Sequence, residues 1–493
     1  MDSNNFNCII VGNGILTKLC IEILIKKFFN IILVVTSNED VKDFCKSKNI
    51  NIVSDKDINI IKEYDFDYLF SIVYLNIIPE DIINIARIKA INYHDSLLPS
   101  YAGVNSTSWA IINKEQYHGI TWHTMTKELD KGAILLQKPI KIDKKETAYS
   151  LNLKCLYSGF NEFKHLVNDI LNNNLKEVNQ DFTLRSYFGK YKKPLYCGII
   201  NITDYNDVNQ VDCLIRGLNF EKINNILATA KICINNNFYI IDSYYLQNED
   251  NFENNNYKII LTFNNNYIII DKIRDIYGNI IELDKEFKFD KFKKLYVQNI
   301  NEKNNLLSIG NYFEQICKYE SYWVQKFNKI KNIKNEILEV NDEIYIQIKE
   351  IINSQNLIIE DKIILAIILV NKLIFKNNTI CIGYDINFSN YNNLYSNVVP
   401  FIIEFDNSKI NINEIICKIK KEKEMIKENI TYCKDIFFRY KEISKKHDKF
   451  EINICKDIRN ISGNFNILIK HDKFEIINFN TNNFISKIIN KIL

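Results

Sequence analysis

The alternation of short apolar runs with helical stretches near the start of the chain constrains its fold more than any other feature. From Phe6 to Val11 the residues form an apolar, β-prone run, Gly12-Asn13-Gly14 interrupts it, and Ile15 to Lys27 carries Leu and Ile at helical spacing. That reads as a strand, a tight turn and a helix. The pattern repeats: Ile31 to Val35 reads as a strand, Asp40 to Cys45 as a helix, Tyr68 to Val73 as a strand, and Pro79 to Ala86 as a helix opened by proline. Such alternation predicts a parallel sheet covered by helices, an α/β fold. Gly12-x-Gly14 lacks the third glycine of a dinucleotide fingerprint and a clear acidic partner after the second strand, so it is read as turn glycines rather than a nicotinamide site.

Further along, Ala90 to Tyr93 reads as another strand, and functional groups in such sheets gather in the loops at the carboxyl ends of strands. Asn152 to Leu171 has helical spacing. The texture then changes: Phe238 to Ile241, Lys258 to Phe263 and Tyr267 to Ile270 read as short strands between Asn-rich turns such as Asn264 to Asn266, a small β domain. It changes again with a helix over Tyr312 to Asn328 holding Trp323, an apolar helix near Ile363 to Leu373, and strand-like Thr379 to Tyr384 and Asn464 to Ile469. A chain of 493 residues is too long for one core, and three units fit both its length and these changes.

Composition narrows the function classes. With 46% hydrophobic and 25% charged residues and a formal charge of +3, the chain is expected to be globular, with neither an acidic tail nor a basic coat for nucleic acid. The mixed-charge run Lys418 to Lys427 reads as a solvated helix face. Twelve cysteines occur without a Cys-x-x-Cys pair, so reduced, mostly buried thiols are expected and no metal site is written. The apolar run Cys8 to Val11 is too short for a leader or a membrane span, and a cytoplasmic location is expected.

Three polar residues carry the chemistry. Asn92 and His94 alternate across one position of an extended segment, so both side chains point to the same side. Asp130 lies in the turn-like Leu129-Asp130-Lys131-Gly132 ahead of the apolar run Ala133 to Leu136, a turn able to deliver a carboxylate to a neighbouring strand end. Acyl transfer to an amine needs a donor for the developing oxyanion, a group that moves a proton, and a group that orients it. Asn, His and Asp supply those roles. Taken alone, a His at a strand end and an Asp before Lys-Gly are more often structural, and spacing does not decide between the readings.

The surrounding text is Asn92-Tyr93-His94-Asp95-Ser96-Leu97-Leu98-Pro99-Ser100-Tyr101-Ala102-Gly103, then Trp109-Ala110-Ile111, Gly119-Ile120-Thr121 and Leu129-Asp130-Lys131-Gly132-Ala133-Ile134-Leu135. In order and spacing these motifs resemble the folate-dependent formyltransferase family, which includes methionyl-tRNA and glycinamide ribonucleotide formyltransferases. The resemblance implies that 10-formyltetrahydrofolate is the formyl donor, that a substrate amine attacks it, and that no metal takes part. It also implies that Asn92, His94 and Asp130 are catalytic, and that Ile72, Val73, Tyr74, Leu75 and Asn76, with Leu129, Lys131, Gly132 and Ala133, line the folate pocket. The chain departs from the family at Asp95, where Pro is usual, and at Ala102, where Arg is usual, which points to a different acceptor side.

The run from His94 to Trp109 is similar to the formyltransferase domains that open nonribosomal peptide synthetases. Leu214-Ile215-Arg216-Gly217-Leu218 and the short strands after it resemble the small carboxy-terminal barrel of formyltransferases, with Arg216 either an acceptor contact or a helix-surface residue. The last third, with Tyr322-Trp323 and Val398-Val399-Pro400-Phe401-Ile402, resembles the second lobe of a condensation domain, although no adjacent pair of histidines supplies that family's catalytic motif. The expected architecture is therefore a Rossmann-like formyltransferase domain over residues 1-185, an OB-like β-barrel domain over 195-300, and a noncatalytic condensation-like α/β lobe over 308-493. The expected acceptor is an aminoacyl group on the carrier protein of a peptide-synthetase module. Methionyl-tRNA, for which a basic channel is expected, an amino sugar, and a noncatalytic scaffold are the alternatives.

Overall fold

The computed structural model describes residues 6–221, 223–248, 257–263, 266–290, 293–297, 303–330, 342–373, 377–387, 393–405, 411–443, 450, 452–460, 465–470 and 473–478. Asn264, Asn265 and Asn464 of the expected turn and strand lie outside the described residues. The chain divides into two compact units, one of Met1–Lys192 with Tyr205–Glu221, the other of Lys193–Asp204 with Lys222–Leu493.

The first unit follows the alternation closely. Its elements are β1 (Asn7–Gly12), α1 (Gly14–Lys26), β2 (Asn30–Val35), α2 (Glu39–Ser47), β3 (Ile52–Val53), β4 (Tyr68–Ile72), α3 (Glu80–Ile83), β5 (Lys89–His94), β6 (Ala102–Gly103), α4 (Ser106–Ile112), β7 (Tyr117–Thr124), β8 (Ile134–Lys141), α5 (Ala148–Leu171), β9 (Tyr187–Phe188) and α6 (Val208–Gly217). The main sheet has the order β3-β2-β1-β4-β5-β7-β8. Strands β1 to β5 pair in parallel, as the alternation predicts, whereas β7 runs antiparallel to both β5 and β8.

Central strands of a sheet covered on both faces read as unbroken apolar runs, and β1 is buried from Cys8 to Gly12. On one face Leu16, Cys20 and Leu24 of α1 pack with Phe163, Leu166 and Val167 of α5 against Ile10, Phe70 and Trp122. On the other, Ile61, Phe66, Ile78 and Ile82 cover Ile9, Val11 and Leu69. Helix α5 starts four residues before the apolar periodicity suggests because Thr147 and Ser150 form a reciprocal capping box, worth about 1 kcal/mol. Gly12 is a packing requirement: a Cβ there would sit 2.5 Å from the Ile72 carbonyl oxygen at the end of β4. Gly14 adopts the left-handed region at φ +73. The expected helix over Pro79 to Ala86 is shorter, with Pro79 as its N-cap residue.

The second unit holds β10 (Lys231–Ile234), β11 (Asn237–Gln247), β12 (Lys258–Phe263), β13 (Asn266–Arg274), β14 (Ile280–Ile281), α7 (Leu283–Glu286) and β15 (Lys294–Tyr296), forming a sheet of order β10-β11-β13-β12-β15 with β14 on β13. After these come α8 (Lys303–Ile316), α9 (Glu320–Lys329), α10 (Asp342–Ser354), α11 (Ile359–Leu373), β16 (Thr379–Asp385), β17 (Val398–Glu404), α12 (Ile412–Asn429), α13 (Ile436–Arg439), β18 (Ile452–Cys455), β19 (Phe465–Lys470) and β20 (Lys473–Asn478). The last five strands form a second sheet of order β17-β16-β18-β19-β20. The single helix expected over Tyr312 to Asn328 is two, because Cys317–Tyr319 tightens into a 3-10 turn between α8 and α9. Helix α11 is buried on every side from Ile363 to Val370, as its continuous apolar run requires.

A buried charge network crosses this unit. Lys231 of β10 lies 2.9 Å from Asp435, Arg439 binds the other oxygen of Asp435 at 2.8 Å, and the same guanidinium pairs with Glu320 of α9. Two cations and two anions balance, and the Thr229 hydroxyl donates a further bond to Asp435 at 3.0 Å. Such pairing is the condition under which full burial of charge is tolerated.

Candidate active site

The pleat of β5 places Asn92 and His94 on one face, and antiparallel β7 presents His123 directly opposite Asn92 in the register. Asn92 Nδ2 is 3.1 Å from His123 Nε2, and His123 Nδ1 is 2.8 Å from the Thr124 carbonyl oxygen. His94 is 6% exposed, and its Nε2 donates to the Tyr101 carbonyl oxygen at 3.0 Å. A carbonyl only accepts, so Nε2 of His94 carries a hydrogen and Nδ1 faces the site. Asp130 Oδ1 lies 3.8 Å from that Nδ1 and 3.7 Å from His123 Nε2. The structure thus brings together the three polar residues read from the sequence and adds His123, which sequence reasoning missed.

Asp130 is held from several directions. Its second carboxylate oxygen accepts the Gly103 N–H at 2.9 Å. Its carbonyl accepts Gln180 Nε2 at 2.9 Å and Arg185 at 3.3 Å, while Arg185 also binds the Leu129 carbonyl at 3.0 Å. The residue itself adopts φ +55, a conformation Asp tolerates better than most. Gly132 is required two residues on, because a Cβ there would come within 1.7 Å of the Thr124 carbonyl oxygen. Burial by itself raises the Asp130 carboxyl, but the two imidazoles, the Gly103 N–H and the Arg185 guanidinium outweigh it and hold the acid below its ordinary range. Burial pushes the His123 imidazole down to about 4, against the pull of Asp130.

The loop after β5 is fixed by neighbouring strands. Thr121 donates to the Ser96 carbonyl at 2.6 Å and accepts the Leu98 N–H at 3.2 Å, and Gln137 donates to the Leu98 carbonyl at 2.7 Å. Asp95 is used through its backbone, whose carbonyl takes the Ser106 hydroxyl at 2.7 Å and lies 2.6 Å from His118 Nε2. Ala102 is fully buried, where β6 pairs with Tyr187 of β9. Arg216 is neither surface nor free: it pairs with Asp212 at 2.8 Å and donates to the Glu146 carbonyl at 2.7 Å.

Of the residues read as folate pocket, Ile72 is buried at the end of β4, Val73 turns the chain at φ +52, Tyr74 is half-buried, and Leu75 and Asn76 are exposed. Leu129 is exposed, Lys131 pairs with Glu128 at 2.6 Å, Gly132 is buried and Ala133 is half-buried. The two segments flank β5, one following its parallel neighbour, the other carrying Asp130. Among the described residues no group of three or more His, Cys, Asp and Glu side chains is placed to hold a metal ion, and no helix is long and apolar enough to cross a membrane.

Residues 5–163 match the model of the formyl transferase family, a span that contains Asn92, His94, His123 and Asp130. The bifunctional polymyxin resistance protein ArnA of Wigglesworthia glossinidia brevipalpis is 35% identical over 213 residues, covering 40% of this chain and 32% of that protein. The GDP-perosamine N-formyltransferase of Brucella melitensis is 33% identical over 159 residues, 30% of this chain and 61% of its own length. The chain therefore spans about a third of the first relative and about three fifths of the second. A solved 4-N formyltransferase from Francisella tularensis superposes with a TM-score of 0.40 at 20% identity, covering 47% of this chain and 93% of that one. A methionyl-tRNA formyltransferase of Ruminiclostridium cellulolyticum is 30% identical over 218 residues, 40% of this chain and 68% of that protein. With two thirds of a formyltransferase covered at that identity, the chain belongs to the formyltransferase family.

Proposed function

We propose that the first unit transfers a formyl group from 10-formyltetrahydrofolate, its donor substrate, to an amine, with Asn92, His94 and Asp130 as the catalytic residues. The observation that carries this reading is the convergence of an amide, an imidazole and a carboxylate on one side of β5. Leu75, Ile77 and Leu129, 71%, 69% and 45% exposed, lie in or beside the two segments that flank β5. The attacking amine forms a bond to the formyl carbon to give a tetrahedral intermediate, which collapses as the bond from that carbon to the folate N10 breaks. Asn92 donates a hydrogen bond to the formyl oxygen as it gains charge. His94, protonated at Nδ1 against Asp130, stabilises the same charge, and the His94-Asp130 pair moves the proton released by the amine to N10.

The acceptor we infer is an aminoacyl group on a peptide-synthetase carrier protein. The text from His94 to Trp109 and the condensation-like pattern of the last third, here read as a noncatalytic docking lobe, support it. An amino sugar is the second reading, favoured by the GDP-perosamine N-formyltransferase relative, and the methionyl-tRNA formyltransferase relative keeps transfer RNA as a third. The test is calorimetric titration of the full chain with 5-formyltetrahydrofolate, followed by incubation with 10-formyltetrahydrofolate and, in turn, aminoacyl carrier protein, a nucleotide-linked amino sugar and methionyl-tRNA. Binding with formylated carrier product supports the proposal, product with another acceptor replaces the carrier reading, and folded protein that binds no folate sinks both.

A further inference from the structure

The geometry points to His123 as a positioning residue that fixes which end of the Asn92 side-chain amide faces the reacting carbon, an inference that rests on the formyl-transfer reading above. His123 Nδ1 lies 2.8 Å from the Thr124 carbonyl oxygen, which can only accept, so Nδ1 carries a hydrogen. The ring is 2% exposed, and burial holds it neutral above about pH 4, so it carries one N–H and Nε2 presents a lone pair. Asn92 stands 3.1 Å from that lone pair. Its NH2 end must therefore face His123, because the amide oxygen there would meet lone pair with lone pair. One N–H of Asn92 is spent on His123 and the other is left to donate to the formyl oxygen.

Asp130 is the competitor in this arrangement. Its Oδ1 is 3.7 Å from the same Nε2, so a His123 cation would donate to the carboxylate and Asn92 would lose the partner that orients it. Besides Asp130, the titratable group facing the ring is His94, with ring centroids 6.5 Å apart and the planes nearly perpendicular, and the Thr124 carbonyl faces Nδ1. A neutral His123 thus does two things at once. It locks the amide of Asn92 as a donor and leaves the Asp130 carboxylate to His94.

The experiment reads the tautomer and the kinetics separately. Magnetic resonance of isotope-labelled imidazole nitrogens in the full chain, assigned with the His123→Gln variant, should show the Nδ1–H tautomer of His123 from about pH 8 to about pH 5. With 10-formyltetrahydrofolate and aminoacyl carrier protein, His123→Leu should lower kcat roughly 10- to 100-fold and leave the donor KM and the 5-formyltetrahydrofolate Kd unchanged. His123→Gln, whose side-chain oxygen can accept from Asn92, should recover kcat to within about threefold. An Nε2–H tautomer or a cationic ring at neutral pH overturns the assignment, as does a folded Leu variant that keeps kcat within about twofold. Wild-type protein that binds no 5-formyltetrahydrofolate counts against formyl transfer itself, and the tautomer spectrum still decides the His123 assignment.

Discussion

Replacing Asp130 by Asn removes one negative charge and almost no volume. Its Oδ1 lies 3.8 Å from His94 Nδ1, and the side chain is 13% exposed. At an effective dielectric of about 20, unit charges at that distance attract by about 4 kcal/mol. Under the proposed mechanism the His94 cation acts while formyl transfer proceeds, so losing that attraction from the transition state corresponds to a fall of about 1000-fold in kcat/KM. The Asn oxygen can still accept the Gly103 N–H, and the backbone bonds from Gln180 and Arg185 do not depend on the carboxylate. The fold should survive. The assay is steady-state transfer from 10-formyltetrahydrofolate to aminoacyl carrier protein, with a thermal melt and a 5-formyltetrahydrofolate titration on the same preparation. A folded, folate-binding Asp130→Asn protein with kcat/KM within about fivefold of wild type would refute the ion-pair mechanism.

Three further outcomes are expected. Gly132→Ala should destabilise the first unit by about 1–3 kcal/mol and displace Asp130, because its methyl group must push aside the Thr124 backbone; a lower melting temperature together with reduced transfer is the check. His123 titrates near 4 when folded against 6.5 ordinarily, so the unfolded chain binds the extra proton between those values. Stability therefore falls as pH drops through that window, by up to about 3 kcal/mol, and urea melts of His123→Gln should lack that component. Lys231→Met leaves the fully buried Asp435 carboxylate with Arg439 as its remaining cation and should cost the second unit about 3–5 kcal/mol, read from its urea midpoint while folate binding by the first unit persists.

The parts legible in the sequence were those governed by local period. The run from Cys8 to Val11, the helix after Gly14 and the strand under Asn92 and His94 stand where spacing puts them, because period and burial agree there. His123 was not legible. Its place depends on β7 running antiparallel to β5 in one register, and no local signal in the text from Gly119 to Thr124 states that partner or that direction. The split between α8 and α9 was hidden for a related reason: the apolar spacing continues across Cys317–Tyr319, and only the tighter turn reveals the break. Arg216 read as either an acceptor contact or a helix-surface group, whereas the Glu146 carbonyl it serves comes from the segment that caps α5.

The hold on Asp130 separates what is rigid in this site from what is free to vary. Its carbonyl, its carboxylate and its positive φ are each set by backbone or by Gln180 and Arg185, residues remote in sequence that converge on one turn. A left-handed Asp persists only where its surroundings over-determine it, and the cost is repaid by a carboxylate that needs no rearrangement during reaction. The departures at Asp95 and Ala102 stand differently to this frame. Asp95 contributes its carbonyl to Ser106 and His118, and Ala102 its backbone to the short β6–β9 pair. The two positions differ in this respect: Asp95 makes no hydrogen bond to Asn92, His94 or Asp130, whereas Ala102 lies between the Tyr101 carbonyl that holds His94 and the Gly103 N–H that holds Asp130, so the β6–β9 pairing of its backbone helps to keep both groups in place.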